Sequence, residues 1–442
     1  MDDNDALLLL LLLSDETSFS ENERASRAIF LTAATLGYGA SDGYGASEAR
    51  RLRAERRAYT CLYLTRPQLL PNPRQDTPWQ VLYGSQNDRA FITTTGFNVE
   101  GFNMILHSGF EDLWELNPIP WTDVPSTANP RAYHRSLDAA GALGLALHYL
   151  NSTVLETSLA EIFALIPSTV DRYISFSLTI LLVTLRRMPY SQISWPQGDE
   201  FVEHESLILA RHPLLIGAFG TVDGLKLPVQ VSYTDDEVEN ATYNGWLHDH
   251  FISNVLAFAP TGVIIACRLN APGSWHDSRV ARPIYSKLLY STPDGYYLAA
   301  DTAFPRGTDS ISGKIRAPVK DGTQLPSNVQ DRQQLLAFDN QLLSFRQAAE
   351  WGMCTMQGSF GRLRVPMKIN DDEKRGDLLE ICTHLFNLRA RTVGHNQIRS
   401  VYLPIWQASD QERVWNDFEN IVYGEQRRSD RVRRFYLTEG VM

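Results

Sequence analysis

Cysteine is scarce. The chain has four in 442 residues, Cys61, Cys267, Cys354 and Cys382, far apart and with no CxxC pair among them. That spacing argues against a disulfide framework and a structural zinc site, and fits a reducing compartment. Long apolar runs are missing too. The one uninterrupted run near the start, the leucines at 7–13, falls short of the roughly 20 residues that cross a bilayer, so no membrane partner is expected. It follows Met-Asp-Asp-Asn-Asp and so lacks the basic leader of a secretory signal. It reads as a short amphipathic or buried helix, or as an oligomerisation element joining like chains. The third absence is an excess of positive charge. A formal net charge of −10 speaks against a wholesale grip on nucleic-acid phosphates. Local patches count for more than the total, and two are present: Arg50-Arg51-Leu-Arg53-Ala-Glu-Arg56-Arg57 and Arg427-Arg428-Ser-Asp-Arg431-Val-Arg433-Arg434. Each reads either as a phosphate contact or nuclear import signal, or as a solvated helix face.

A chain of this length is too long for one small core. The sequence divides into an N-terminal flank at 1–90, partly flexible around the glycines at 37–45, a helical region at 91–198, an α/β region at 199–395, and a helical, basic tail at 396–442. In the helical region, Phe97, Phe102, Ile105, Leu106, Phe110, Leu113 and Trp114 recur at the helical period of a core-facing stripe. Residues 139–150 read as a helix, Thr157 or Ser158 caps a short helix ending at Phe163, and Ser168 caps a longer one at 169–187. Helix, short helix, tight turn and long helix resemble a helix-turn-helix. The last helix offers only Asp171, Arg172 and Ser175 near its start, so three-helix packing without base readout is the competing reading.

From residue 216 strands and helices alternate. The run at 216–223 is a strand, and 225–231 continues it or lies beside it. The apolar segments 251–259 and 262–269, joined through Pro260-Thr261, predict an antiparallel hairpin. A helix at 277–289 turns Val280, Ile284 and Leu288 inward. A strand at 296–300, a weak strand at 314–319 and helices from 331 onward complete the region, and a helix at 378–391 closes it. Two acids, Asp223 and Asp301, end apolar strands, and Glu350 lies on a helix. Carboxylates gathered at apolar walls repel one another and are costly to bury, which makes sense if a divalent cation neutralises them. Hard oxygen donors of this kind suit magnesium or manganese.

Five blocks in this order carry a resemblance: Gly220-Thr-Val-Asp-Gly224, Tyr243-Asn-Gly-Trp-Leu-His-Asp-His250, Pro272-Gly-Ser-Trp-His-Asp-Ser278, Ala300-Asp-Thr-Ala-Phe-Pro305 and Arg346-Gln-Ala-Ala-Glu350, extended by Gln357-Gly-Ser-Phe-Gly-Arg-Leu-Arg364. The acids are separated by 78 (301 − 223) and 49 (350 − 301) residues. The stretch resembles the DDE-type transposases of the PIF/Harbinger group and the nucleases derived from them, over about residues 200–390. The resemblance implies an α/β, ribonuclease H-like mixed sheet flanked by helices, preceded by an all-helical, helix-turn-helix-like domain. It further implies DNA as substrate, nuclear location and a separate Myb-like DNA-binding partner.

Phosphodiester cleavage in that chemistry uses two metal ions about 4 Å apart, one activating the attacking oxygen and one stabilising the leaving oxygen. Asp223, Asp301 and Glu350 supply the catalytic set and the ligands for two Mg²⁺ or Mn²⁺ ions, with Asp223 the bridging candidate. Asp277 is a fourth acid, which either positions metal or substrate or caps its helix. His248 and His276 either approach the substrate phosphate or are packed. Lys226, Arg346 and Arg362, with Arg364, either contact phosphate or pair with surface acids. The alternative to a nuclease is a domesticated, catalytically silent protein that keeps the fold for binding.

Overall fold

The computed structural model describes residues 64–120, 128–231, 235–245, 247–304, 311, 313–320, 322–369, 371–394 and 396–402. The chain divides after Leu64, and the elements described here belong to the unit that begins at Thr65. The leucine run, the glycine-rich segment at 37–45 and both arginine clusters lie outside the described residues.

A helical layer comes first. Helix α1 (Pro78–Ser85) starts on a Thr77 cap whose hydroxyl accepts from the Gln80 N–H, with proline at its first position. Helices α2 (Asp88–Thr95) and α3 (Val99–Ile105) are capped by Asn87 and Asn98. A short π-helical turn leads into α4 (Glu111–Leu116). Phe97, Phe102, Ile105, Leu106, Phe110 and Trp114 are all buried, as their spacing predicts. Helices α5 (Ala139–Asn151), α6 (Glu156–Phe163) and α7 (Pro167–Arg187) follow. Their starts differ from expectation. Neither Thr157, Ser158 nor Ser168 caps a helix: α6 and α7 begin after Leu155 and Ile166 without a side-chain cap, and Pro167 presets the first turn of α7.

The layer is built round Trp79. Its indole stacks on Phe163 with centroids 5.4 Å apart and meets Phe102 and Phe91 at 5.9 and 6.4 Å. The indole lies against the backbone of Gly144 on α5, and a Cβ there would fall inside the ring. Helix α7 buries Val170, Tyr173, Ile174, Phe176, Ile180, Leu181, Leu182 and Leu185. It packs on α5 on one side and on α13 (Asp372–Thr392) on the other. By length and composition α7 is apolar enough to cross a membrane, but its burial marks it as a core helix. Near its start it exposes Asp171 and Ser175. A two-pronged ion pair from Arg186 to Glu380, at 2.7 and 2.8 Å, joins the two helices at their rim.

Helix α8 (Glu200–Leu209) leads into the sheet. Strand β1 (Ala218–Pro228) is central. The others are β2 (Tyr243–Asn244), β3 (Asp249–Phe258), β4 (Ile264–Pro272), β5 (Tyr297–Ala300) and β6 (Ile315–Arg316), with a short helix α9 (Asp236–Thr242) before β2. The path runs β2-β3-β1-β5-β6, and β4 pairs with β3. β3 is antiparallel to β1 and β4, whereas β5 is parallel to β1 and to β6. The predicted hairpin is β3–β4. The parallel pairing of β5 with β1 needs a crossover, which α10 (Asp277–Val280) and α11 (Arg282–Tyr290) provide. This is the mixed sheet of a ribonuclease H-like fold, flanked by helices.

Each face of the sheet has its own core. Val222, Val255, Ala257, Ile265, Leu298 and Ala300 pack against Val280, Ile284 and Leu288 of the crossover. On the other face lies the long helix α12 (Val329–Ser359), whose Gly352 approaches the Phe258 ring too closely to admit a Cβ. Asn387 of α13 grips β4, accepting from the Ile264 N–H at 2.7 Å and donating to its carbonyl at 2.8 Å. Helix α14 (Gln397–Tyr402) ends the described chain.

The packing round Trp79 makes a prediction. Gly144→Ala forces the indole out of place and should destabilise the protein by about 1–3 kcal/mol, the usual cost of overpacking. Gly84→Ala, on an open stretch of α1, should be neutral or stabilising. Urea denaturation of both variants checks the pair.

Candidate active site

The register of β1 against β5 creates the site. Val222 lies opposite Ala300 in a parallel pair, so the next residues, Asp223 and Asp301, emerge side by side on neighbouring strands. Strand spacing puts those backbones about 5 Å apart. Here the sequence reading needs correction. Asp301 does follow the end of its strand, but Asp223 lies within β1, which runs on antiparallel to β3 as far as Pro228. The edge at Asp223 is made by β5 stopping at Ala300, not by β1 stopping.

Asp277 comes from the opposite face. Side chains alternate along a strand, so Asp223 and Gly224 point to opposite sides. A Cβ on Gly224 would fall 2.6 Å from the Asp277 carboxylate. The glycine is therefore the seat on which that carboxylate rests. Asp277 does not cap its helix: the cap of α10 is His276, whose Nδ1 accepts from the Ser278 N–H at 3.3 Å and meets Ser278 Oγ at 2.9 Å. This leaves Asp277 Oδ1 buried with no hydrogen-bond partner. Nearby on α11, Tyr285 also carries a buried, unpartnered hydroxyl, and burial, with the charge on Asp277 adding to it, pushes that phenol well up.

Three aspartates thus feel one another. Burial pushes the Asp223 carboxyl up to about 6, and the charges on Asp301 and Asp277 push the same way. The Gly224 N–H, which donates to Asp223 Oδ1 at 2.8 Å, and the Arg346 guanidinium pull it back. Burial likewise raises Asp277; Asp301 adds to the rise, while Lys226 and His276 oppose it. Asp301 Oδ1 accepts from the Thr302 N–H at 2.6 Å.

Glu350 is tied differently. Arg346, one helical turn earlier on α12, sends Nη2 to Glu350 Oε1 at 2.8 Å and Nη1 to Asp223 Oδ2 at 3.7 Å. The Arg346 and Asp223 side chains are 22% and 20% exposed and Glu350 is 50% exposed, so the pair to Asp223 is the better shielded from solvent.

Other residues singled out from sequence fall elsewhere. His248 is exposed in the β2–β3 turn, in a left-handed conformation with φ 53°. Asp223 pairs with Leu256, which lies six positions along β3 from His250, so His248 lies roughly 20 Å or more along the sheet. Arg362 stacks over the Tyr149 ring of α5 at 3.8 Å and donates to the Val154 carbonyl, which makes it a joint between layers. Two contributors had escaped the sequence reading. Tyr285 carries no spacing signal. The seat at Gly224 becomes visible only once the strand register and the crossover bring it beneath Asp277.

Among the described residues, no three His, Cys, Asp or Glu groups stand close enough together to hold a metal ion as they are arranged. The chemistry of the donors nonetheless suits a hard divalent cation. They are carboxylate oxygens, they repel one another, and Asp277 Oδ1 is buried without a partner.

Residues 222–387 match the family model of the DDE superfamily endonucleases, a stretch that takes in Asp223, Asp277, Asp301, Arg346 and Glu350. No curated protein and no solved structure matches the chain.

A carboxyl raised by burial costs stability when ionised. Between the unfolded value near 3.9 and the folded value of about 6, the native state binds more protons, so stability falls as pH rises through that window. Asp223→Asn should therefore stabilise the protein at pH 7.5, by up to about 3 kcal/mol and with a higher melting temperature, and change little at pH 4. Metal-free thermal melts at both pH values check it.

Proposed function

We propose that the chain is a metal-dependent DNA endonuclease of the PIF/Harbinger transposase type, or a nuclease derived from one. The observation that carries this reading is the β1–β5 register, which sets Asp223 beside Asp301 with Asp277 seated on Gly224. The family match over 222–387 supports the same chemistry.

Asp223, Asp301 and Glu350 would hold two Mg²⁺ or Mn²⁺ ions, with Asp277 as a further oxygen donor. When bound, the ions activate the attacking oxygen and stabilise the leaving one. The chain's own residues position and neutralise. Lys226 and Arg346 offer positive charge beside the acids for the substrate phosphate, and His276 stands exposed next to Asp277. His248, far along the sheet, is left to flanking DNA. Arg362, already stacked, has no free role at the phosphate.

The same reading includes a nuclear protein that relies on a separate Myb-like subunit to find its DNA. The burial of α7 supports that division of labour: base readout calls for several of Arg, Lys, Asn or Gln at such a position, and Asp171, Arg172 and Ser175 include one of them. A second reading is a catalytically silent protein that keeps the fold for binding. It draws support from Arg346, which pairs with two of the acids and leaves no three of them gathered.

Nicking of supercoiled plasmid in Mn²⁺ separates the two. The wild type should nick. Asp223→Ala and Asp301→Ala should lose more than the ~10–100-fold that an outer-sphere change costs a metal site. Equal behaviour of all three proteins would support the silent reading.

A further inference from the structure

We infer that Arg346 is the resident counter-cation of this site, a latch that a divalent cation must displace and that is then free to grip the substrate phosphate. The inference rests on the nuclease reading above.

One guanidinium spans two carboxylates from two different elements. Nη1 faces Asp223 on the sheet at 3.7 Å, and Nη2 holds Glu350 on α12 at 2.8 Å. These are acids that a metal site would have to draw together. With a guanidinium between them, each carboxylate stands at hydrogen-bond distance or more from a nitrogen. Oxygens that share one small cation instead lie about 2.0–2.1 Å from it. The latch thus stands where a cation shared by Asp223 and Glu350 would stand.

The substitution of one cation for the other is incomplete. Arg346 carries a single charge that is never given up, so when it leaves, the acids are neutralised again only if another cation takes its place. It also reaches only part of the acid cluster. Asp277 Oδ1 keeps no partner. A divalent ion offers the cluster twice the charge. Once displaced, the planar fork of Arg346 matches two phosphate oxygens. Metal entry and phosphate binding are then coupled through one side chain, and coupling of this kind is reciprocal: a phosphate that draws Arg346 away makes the acids a better metal site.

The signature is a pair of opposite effects that a merely structural ion pair would not produce. Mn²⁺ binding is measured by calorimetry on the full chain for wild type, Arg346→Gln, Arg346→Lys and Asp223→Asn, with and without a short DNA duplex. Arg346→Gln should bind Mn²⁺ about tenfold more tightly than wild type, a typical coupling magnitude, while its metal-free affinity for the duplex falls. The duplex should tighten Mn²⁺ binding to wild type and not to Arg346→Gln. If Asp223→Asn has lost Mn²⁺ and Arg346→Gln binds it no better than wild type, the latch is overturned and the metal site stands. If no protein takes up Mn²⁺, the nuclease reading falls and the latch with it. If Arg346→Gln does not fold, Arg346→Lys decides. Lysine is a point charge that holds one carboxylate at a time, so tighter Mn²⁺ binding supports the latch and wild-type binding overturns it.

Discussion

Carboxylates brought to the edge of an apolar sheet repel each other, and each loses water it would otherwise bind. Asp223, Asp277 and Asp301 meet under that constraint, and much of the surrounding arrangement answers it. The Gly224 N–H and the Arg346 guanidinium draw Asp223 back down, and Lys226 and His276 do the same for Asp277. None of this removes the repulsion. A protein selected only for stability would not place three aspartates round one strand edge, so the arrangement points to a use outside folding.

The fold is the means of holding that arrangement rigidly. Parallel pairing of β1 with β5 fixes two of the acids by register, and register cannot slip by one residue without turning every side chain to the wrong face. The crossover helices bring the third acid over the sheet from the other side, and α12 brings Arg346 and Glu350 across the first face. Each supporting element is anchored by its own core: Val280, Ile284 and Leu288 on one side, Phe258 under Gly352 on the other. The helical layer adds support at a distance. Helix α7 packs on α13, and Asn387 of α13 clamps the β4 backbone.

Much of this was legible in the sequence because it depends on local pattern. The apolar runs at 251–259 and 262–269 with a Pro-Thr corner became the β3–β4 hairpin, and Val280, Ile284 and Leu288 lie inward as their spacing requires. What failed was decided by neighbours remote in sequence. Thr157 and Ser168 are good capping residues, yet α6 and α7 start a residue or two earlier, after Leu155 and Ile166. Asp223 reads from sequence as the end of a strand, whereas the strand runs on and the glycine after it admits Asp277, 53 residues later (277 − 224). The link from Arg346 to Glu350 follows from helical spacing, but its reach to Asp223 needs the packing of α12 on the sheet. Arg362, with Arg364 two residues on, reads from sequence as a phosphate contact or a partner of surface acids, and the structure sets it over the Tyr149 ring.

The contrast between Arg346 and Arg362 shows how a basic residue's surroundings separate packing from readiness to exchange. Arg362 lies flat on an aromatic face and donates to a backbone carbonyl, partners that no small ion can replace. Arg346 has only carboxylates for the partners described, one of them at 3.7 Å and another half-exposed to solvent. Ion pairs with exposed groups are weak, and a stronger cation can take their place. The acids that hold Arg346 are also those that crowd one another. The guanidinium is therefore retained by an electrostatic need that a divalent ion would satisfy better, and the site is stable enough to fold without being closed to exchange.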